Sequence, residues 1–90
     1  MGKKTISNHL WSYRRKNGLS QKRVAFFLGH RTSSQLSHYE CGDKYPSLEN
    51  ALRLEIIYHV PVAFLFRDLY RQLQRDIGAR EEKLIKTFEK

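Results

Sequence analysis

The 90-residue sequence predicts an all-α fold, and two features of the chain support this prediction. Apolar residues recur at helical spacing in successive stretches, whereas no stretch alternates between apolar and polar residues as a half-buried strand would. Ser, Asn, Gly and Pro separate these stretches, and these are the residues at which helices most often begin and end. Since 40% of the residues are hydrophobic, the chain is able to form a core. We expect one compact domain of five helices with a helical C-terminal extension.

The first predicted helix follows Thr5 or Ser7, because either hydroxyl can accept a hydrogen bond from the first helical turn. It is expected to run for about ten residues and to stop at Asn17-Gly18, where a left-handed residue is easiest without a Cβ. Its buried stripe has the spacing i, i+4, i+7. The stripe consists of Ile6, Leu10 and Tyr13.

The segment Leu19–Gly42 predicts two short helices joined by a glycine turn. Ser20 caps the first and Gly29 ends it, while Thr32 or Ser33 caps the second and Gly42 ends it. The apolar positions are Val24, Ala25, Phe27 and Leu28 in the first helix, and Leu36 and Tyr39 in the second. A second helix rich in small polar side chains is typical of a helix-turn-helix that reads DNA.

Two further helices are predicted before the extension. Ser47 caps a helix of about eleven residues that is apolar over most of its circumference, as expected for a helix packed in a small bundle. Its single buried-looking acid, Glu55, is expected to meet an arginine. His59-Val60 breaks this helix, and Pro61 suits the first turn of the next one, which is anchored as far as Leu69.

Beyond Leu69 the apolar pattern narrows to a single stripe, which predicts an appendage rather than more of the globule. We therefore divide the chain into a DNA-binding unit at residues 1–69 and a helical extension at residues 70–90 that serves in dimerisation or partner docking. Gly78 is expected to interrupt the extension. The stripe consists of Leu69, Leu73, Ile77, Leu84 and Phe88.

The positive charge of the chain is concentrated in its first half. Residues 1–45 hold nine Lys and Arg against two acids, whereas residues 46–90 hold eight against seven. A field concentrated on one part of a small domain favours a polyanionic partner. A membrane-surface role would require a continuous basic helical face, but the basic residues of the first half fall at predicted helix ends and turns.

The sequence offers little support for catalysis or for a cofactor. Ser37 and His38 are adjacent and would point about 100° apart on a helix, and no nearby carboxylate would orient the imidazole. His30, His38 and Cys41 supply fewer than the four ligands of a structural zinc site. We expect no enzyme, no metal and no cofactor. One cysteine and no apolar run long enough for a membrane span favour the cytoplasm.

The residues at about 5–66 resemble the lambda-repressor-like (Xre/Cro) family of helix-turn-helix regulators. Six residues separate Gly29 from Leu36, one more than is common in that family, and the insertion either lengthens the turn or adds a partial helical turn. The resemblance rests on Tyr13-Arg14, Gly18-Leu19-Ser20-Gln21, Val24-Ala25, Leu28-Gly29, Leu36-Ser37, Tyr39-Glu40, Gly42, Pro46 and Val60.

The resemblance implies roles for several side chains. Gln21 would bond a backbone phosphate, and Arg14 and Glu40 would form a semi-buried ion pair between the first and third helices. The outward residues of the third helix would face the major groove, where Ser, His and Gln can all bond base edges. The expected DNA-binding residues are Gln21, Lys22, Arg31, Thr32, Ser33, Ser34, Gln35, Ser37, His38 and Lys44. Ser33 and Ser34 could instead serve only as caps, and His38 could lie on the surface without a base partner. Arg14 and Glu40, like Lys22 and Arg31, could instead be solvated charges.

The expected function is sequence-specific binding to double-stranded DNA by a homodimeric transcription regulator of bacterial or phage type. Repression by occlusion is the simpler default, although the sequence does not decide between activator and repressor. An antitoxin-like module that binds a protein partner through residues 70–90 is the alternative from another functional class. The two roles are compatible, because one chain can bind DNA and a protein.

Overall fold

The structure, a computed structural model, describes residues 5–88. Within this range it contains helices and no strand, which confirms the all-α prediction. No helix of residues 5–88 combines the length and the apolar composition needed to cross a membrane. The helices are α1 (Leu10–Lys16), α2 (Gln21–Phe27), α3 (Ser34–Cys41), α4 (Leu48–Tyr58), α5 (Val62–Leu65) and α6 (Arg67–Phe88).

A single apolar core joins α1 to α5 and the start of α6. Each of the first five helices contributes at least one buried side chain, and Phe66 contributes one from the α5–α6 junction. Phe27 lies outside the core with 56% of its surface exposed, so only three of the four apolar positions predicted for α2 are buried. The core consists of Leu10, Val24, Leu28, Leu36, Tyr39, Leu54, Tyr58, Leu65 and Phe66.

The start of α1 differs from the prediction. The helix begins at Leu10 rather than after Thr5 or Ser7, because tertiary hydrogen bonds hold the preceding residues in a non-helical conformation. The Ser7 hydroxyl donates to Asp68 Oδ2 over 2.8 Å. The Asn8 amide donates to the Tyr39 carbonyl over 3.0 Å, and Asn8 Oδ1 accepts from the Leu10 N–H over 3.1 Å. His9 occupies the N-cap position without a side-chain cap bond, and Asn8, one position earlier, satisfies the first helical N–H instead.

The predicted glycine stops are confirmed, since Gly18, Gly29 and Gly42 all have positive φ. Gly42 is the most constrained of the three. Its carbonyl accepts the Ile6 N–H over 2.8 Å, and a Cβ built on Gly42 would lie 2.5 Å from the Ile6 carbonyl oxygen. Glycine at this position ends α3 and also lets the N-terminal segment pass directly against it.

The helix α4 begins as predicted, with the Ser47 hydroxyl accepting from the Asn50 N–H over 3.1 Å. The helix is apolar over much of its circumference, as predicted, but only one side of it packs against the core. Only Leu54 and Tyr58 are buried along it. Three apolar side chains spaced four residues apart share one exposed face, because no other helix within residues 5–88 covers that side. They are Leu48 (75% exposed), Leu52 (47%) and Ile56 (71%).

The connection from α4 to α5 differs from the sequence prediction in one contact. The helix α4 ends at Tyr58, as predicted, and His59 follows in a left-handed conformation at φ 60°. Within residues 5–88 Glu55 does not meet the expected arginine; its Oε1 accepts the Val62 N–H over 2.9 Å instead. A carboxylate at the first N–H of a helix satisfies an otherwise unpaired donor, so Glu55 caps α5 from the preceding helix.

The helix α6 corrects two predictions. The expected fifth helix is split at Phe66, whose φ of −122° and ψ of 52° separate α5 from α6. Gly78 does not interrupt the C-terminal segment, because α6 runs through it as one helix of 22 residues. The boundary drawn from the sequence between residues 1–69 and the extension at residues 70–90 therefore lies inside α6. The side chain of Phe88 and residues 1–4, 89 and 90 lie outside the described part of the chain.

Candidate nucleic-acid interface

The helix α3 has one buried side and one outward side. Leu36 and Tyr39 are buried at 0% and 2% exposure and attach α3 to the core. Residues spaced i, i+3, i+4 and i+7 lie on one face of a helix, and on α3 this face is opposite the buried pair. The α3 outer face consists of Ser34, Ser37, His38 and Cys41. It combines hydroxyl, imidazole and thiol groups, which can donate or accept hydrogen bonds.

The additional residue before α3 lengthens the turn rather than adding a partial helical turn. The chain leaves α2 after Phe27 and enters α3 at Ser34, with residues 30–33 outside any helix. Ser33 occupies the N-cap position without a side-chain cap bond. The Thr32 hydroxyl accepts from the Ser34 N–H at 3.4 Å, a long contact. Both hydroxyls therefore remain available to a ligand at the start of α3.

A buried ion pair holds α3 against α1, which confirms the pairing implied by the family resemblance. Arg14 Nε donates to Glu40 Oε2 over 2.6 Å, and Arg14 Nη2 donates to Glu40 Oε1 over 3.2 Å. Arg14 Nη1 also donates to the Leu19 carbonyl over 3.0 Å. A charge-assisted pair with two parallel bonds fixes orientation as well as distance, so it sets the angle of α3 to the body.

Gln21 joins the same cluster. Its Nε2 donates to Glu40 Oε1 over 2.9 Å, so that one carboxylate accepts bonds from both α1 and α2. An amide NH₂ carries two hydrogens, and one of them is used by Glu40. The phosphate contact expected of Gln21 would have to use the other hydrogen. Gln21 is half-buried at the first position of α2. Its hydrogen bond to Glu40 fixes the orientation of its amide.

The hydroxyl of Tyr58 lies in the electrostatic environment of this cluster. It is buried, and within residues 5–88 it has no hydrogen-bond partner. Burial raises the pKa of Tyr58 far above its usual range, the negative charge of Glu40 raises it further, and the positive charge of Arg14 opposes the shift. The phenol therefore stays protonated under ordinary conditions and acts as a core side chain rather than as an acid or base.

A shallow cavity of about 410 Å³ lies at the junction of α2 and α3 and brings together several of the predicted residues. Lys22 comes from α2, whereas Arg31, Thr32 and Ser33 come from the lengthened turn. A cationic and hydroxyl-lined depression beside a helix N-terminus suits a phosphate group. These four residues were predicted from the sequence as DNA-binding residues, and the fold brings them to one place.

Three lining residues of that cavity were not predicted as DNA-binding residues: the buried Ala25, and Phe26 and His30. Phe26 is 78% exposed, the largest exposed fraction among the large apolar side chains described, and His30 Nδ1 is buried without a hydrogen-bond partner within residues 5–88. A signal for Phe26 was present in the sequence. Neighbouring residues of a helix point about 100° apart, so Phe26 and Phe27 could not both face the core that Val24 and Leu28 define.

Three of the predicted residues on or beside α3 contact neighbouring side chains. Lys44 Nζ donates to Gln35 Oε1 over 3.1 Å, and His38 Nδ1 lies 3.4 Å from Asp43 Oδ2. The expectation that no carboxylate would orient this imidazole is therefore wrong, although the His38 side chain remains 60% exposed. Gln35 and Lys44 thus flank the α3 outer face, while His38 lies on it.

Cys41 was not predicted as a binding residue, although its spacing from Ser34, Ser37 and His38 indicates the same face. It is exposed and carries a free thiol. No group of three or more His, Cys, Asp and Glu within residues 5–88 is arranged to hold a metal ion. The chemistry of the α3 outer face is therefore that of hydrogen bonding by Ser34, Ser37 and His38.

Comparison with known proteins agrees with this geometry. A family model described as helix-turn-helix matches residues 12–65, more than half of the chain and all of the segment from α1 to α5 apart from the first residues of α1. A search of curated proteins gave no match. The matching family comprises DNA-binding, non-catalytic domains, so DNA is a partner of this chain. The chain belongs to the Xre/Cro, lambda-repressor-like helix-turn-helix family.

Proposed function

We propose that the protein is a sequence-specific regulator of transcription that reads double-stranded DNA with the α3 outer face. One observation carries this proposal. The buried side of α3 is fixed by Leu36, Tyr39 and the Arg14–Glu40 pair, while Ser34, Ser37 and His38 are left on the opposite side. A rigid helix with hydrogen-bonding side chains on its free face suits the major groove, where each base pair has its own pattern of donors and acceptors.

Base contacts and phosphate contacts come from different residues in this proposal. Ser34, Ser37 and His38 bond base edges, with Gln35 beside them. The phosphate contacts hold the helix in register without reading sequence. We assign them to Gln21, Lys22, Arg31, Thr32, Ser33 and Lys44, of which Lys22, Arg31, Thr32 and Ser33 line the cavity at the α2–α3 junction.

We further propose that the protein binds as a homodimer to a near-palindromic operator. Dimeric helix-turn-helix proteins present two reading helices about 34 Å apart, one turn of the double helix. The exposed apolar side chains of α6 support this proposal, because an exposed apolar patch indicates an interaction surface. Repression by occluding a promoter is the simplest regulatory outcome for such a dimer.

Selection of binding sites from random duplex DNA tests this function. We expect a consensus with two-fold symmetry and an affinity for it at least about a thousandfold above that for random duplex at the same salt concentration. His38→Ala should lower the affinity for the consensus by about 1–3 kcal/mol and relax the preference at one base pair in each half-site. Equal binding to the consensus and to random duplex would overturn the proposal of sequence-specific reading.

A matched pair of serine variants sharpens the assignment. Ser37→Ala removes a hydroxyl from the α3 outer face, whereas Ser12→Ala removes one from the exposed side of α1. We expect the first to change the selected consensus and the second to leave it unchanged. The same consensus from both variants would exclude Ser37 from base reading.

The exposed apolar side chains of α6 also favour a second candidate function, the binding of a protein partner in the manner of an antitoxin. Deletion of residues 70–90 distinguishes the two roles of this segment. Loss of dimers and of affinity for the palindrome would indicate a dimer interface. Unchanged DNA affinity and unchanged oligomeric state would leave a protein partner as the reason for the exposed side chains.

A further inference from the structure

The chain folds back on itself immediately after α3. The Gly42 N–H donates to the Tyr39 carbonyl over 3.1 Å, and the Asp43 N–H donates to the His38 carbonyl over 3.0 Å. These two backbone bonds around a left-handed glycine form a Schellman motif, in which the side chain after the glycine commonly meets the one five positions earlier. The backbone therefore places the carboxylate of Asp43 beside the imidazole of His38.

The residue after Asp43 contacts the same helix one turn earlier. Lys44 Nζ donates to Gln35 Oε1 over 3.1 Å. Gln35 precedes His38 by three positions, so the two side chains are neighbours on α3. Asp43 and Lys44 are themselves exposed, and contacts between exposed polar side chains contribute little to stability. The effect of these two loop residues is therefore to position the side chains of His38 and Gln35.

The carboxylate of Asp43 determines which nitrogen of His38 carries a hydrogen. An ionised carboxylate only accepts hydrogen bonds, so the Nδ1 that faces Asp43 over 3.4 Å is the protonated nitrogen. In a neutral imidazole the other nitrogen, Nε2, then has a free lone pair and accepts a hydrogen bond. Nε2 has no hydrogen-bond partner within residues 5–88, and the His38 side chain is 60% exposed. His38 therefore presents an acceptor to a ligand.

The ammonium of Lys44 determines the orientation of the Gln35 amide in the same way. An ammonium group only donates hydrogen bonds, so the amide atom that faces it is the oxygen. The NH₂ group of Gln35 is left without a partner within residues 5–88 and presents two donors. The usual contact of glutamine with adenine also requires the amide oxygen, which here is engaged by Lys44. Gln35 therefore presents donors where His38 presents an acceptor.

We propose that Asp43 and Lys44 determine which class of base His38 and Gln35 read, although neither loop residue contacts a base itself. This inference rests on the DNA reading proposed above and specifies the chemistry of its target. In the major groove adenine and cytosine carry an exocyclic amino group, whereas guanine and thymine carry an oxygen at the equivalent position. His38, as an acceptor, selects a base with an amino group. Gln35, as a donor, selects a base with an oxygen.

Inversion of single base pairs in the selected consensus tests this assignment with the full-length chain. Exchanging the two bases of a pair puts an oxygen where the amino group was, or the reverse. The pair read by each side chain is the one at which His38→Ala or Gln35→Ala abolishes the loss of affinity on inversion. Binding is measured at about pH 8.5, above the range in which imidazole groups change charge. We expect the unmodified protein to lose affinity about tenfold on inversion of either pair.

Two loop variants serve as matched controls for each other. Asp43→Asn replaces a pure acceptor with an amide that both donates and accepts, so the loss on inversion of the His38 pair should fall to about twofold or less. The loss at the Gln35 pair should stay the same. Lys44→Met should have the opposite pattern, because it frees the Gln35 amide and leaves Asp43 in place. Each result is a ratio of two affinities, so a general effect of the altered charge on DNA binding cancels.

Three results would overturn this inference and leave sequence-specific reading intact. They are a preference of His38 for a base with an oxygen, a preference of Gln35 for a base with an amino group, and inversion losses that neither loop variant changes. Insensitivity of the unmodified protein to inversion of every pair would instead overturn sequence-specific reading itself. Circular dichroism of both loop variants should match that of the unmodified protein, because Asp43 and Lys44 are exposed and the backbone bonds of the turn are retained.

Discussion

The guanidinium of Arg14 and the carboxylate of Glu40 connect α1 to α3 through two hydrogen bonds, of 2.6 Å and 3.2 Å. Only 10% of the Arg14 side chain and 5% of the Glu40 side chain are exposed. Gln21 and the Leu19 carbonyl complete the cluster from α2 and the turn before it. The orientation of α3 is therefore set by polar contacts as well as by packing, and this arrangement leads to the first prediction.

Glu40→Gln should destabilise the protein by about 3–5 kcal/mol, because it leaves the Arg14 charge buried without its counter-charge. Denaturant-induced unfolding followed by circular dichroism measures the change. The matched control is Glu49→Gln on α4, whose pair with Arg53 spans 3.6 Å and has side chains 48% and 82% exposed. The control should change stability by about 1 kcal/mol or less. Equal effects of the two variants would contradict the structural role of the buried pair.

Two glycines that share a left-handed conformation should respond differently to alanine. Gly29 has φ 79° and open space around its absent Cβ, so Gly29→Ala should cost about 1–2 kcal/mol of conformational strain. Gly42→Ala adds a clash with the Ile6 backbone and should cost about 3 kcal/mol or more. Thermal unfolding midpoints compare the two variants. A lower midpoint for Gly29→Ala than for Gly42→Ala would show that Ile6 does not pack against Gly42 in solution.

Two buried tyrosines differ in whether the hydroxyl has a partner. The Tyr39 hydroxyl accepts from Asn50 Nδ2 over 3.1 Å, so Tyr39→Phe should cost about 1 kcal/mol. The Tyr58 hydroxyl is buried without a partner in the described residues, so Tyr58→Phe should be neutral or stabilising by up to about 1 kcal/mol. Denaturation midpoints of the two variants test this difference. A larger loss from Tyr58→Phe would reveal a hydrogen bond to the Tyr58 hydroxyl.

The raised pKa of Tyr58 predicts a dependence of stability on alkaline pH. The unfolded chain releases the phenolic proton near its usual pKa of about 10, whereas the folded chain retains it. The contribution of Tyr58 to the free energy of unfolding is thus complete below that pKa, and it is lost as the pH rises further. Tyr58→Phe should reduce the loss of stability above about pH 10, as measured by denaturant unfolding at a series of pH values. Identical pH profiles would contradict the burial of this hydroxyl.

Removal of a phosphate-binding charge should lower the salt dependence of DNA binding. Lys22 lines the cavity at the α2–α3 junction, so Lys22→Gln should weaken binding to all sequences alike. It should also reduce the slope of log affinity against log salt by about 0.9 for each phosphate that is no longer neutralised. Lys86→Gln removes the same charge from the last turn of α6 and should leave the slope unchanged. Equal slopes for Lys22→Gln and the unmodified protein would exclude Lys22 as a phosphate-binding residue.

The sequence predicted the structure correctly where the determinants are local. The caps at Ser20 and Ser47 and the stops at Gly18, Gly29 and Gly42 follow from residue type within one helical turn. The Arg14–Glu40 pair spans 26 positions and was predicted only through the resemblance to a family, because spacing in sequence does not indicate contact at that range.

The errors arose where distant parts of the chain compete with local preference. The start of α1 depends on Asn8, which bonds the carbonyl of Tyr39 as well as capping the helix. Gly78 has a low helix propensity, but a single glycine costs too little to end a helix of 22 residues. For α4 the pattern identified apolar residues but could not indicate which of them have a neighbour, and Leu48 and Ile56 remain exposed.

The longer turn explains why base-contacting residues were the hardest to assign. Helical phase within α3 is fixed by the burial of Leu36 and Tyr39, so the grouping of Ser34, Ser37 and His38 on one face was predictable. Whether residues 30–33 would coil or wind into α3 depends on weak interactions of similar strength, such as the 3.4 Å contact of Thr32 with the Ser34 N–H.

The division of α3 into a bonded side and a free side has a consequence for how target choice can change. Ser34, Ser37 and Cys41 use no side-chain hydrogen bond to the body of the protein within residues 5–88, and His38 contacts only its exposed neighbour Asp43. Substitutions on this side should therefore carry little penalty in folding free energy. Glu40, which lies between Tyr39 and Cys41 in sequence, tolerates almost no substitution. A lineage of such proteins can acquire new operators by exchanging three or four side chains, and the same positions offer an engineer a route to retarget the protein on an unchanged scaffold.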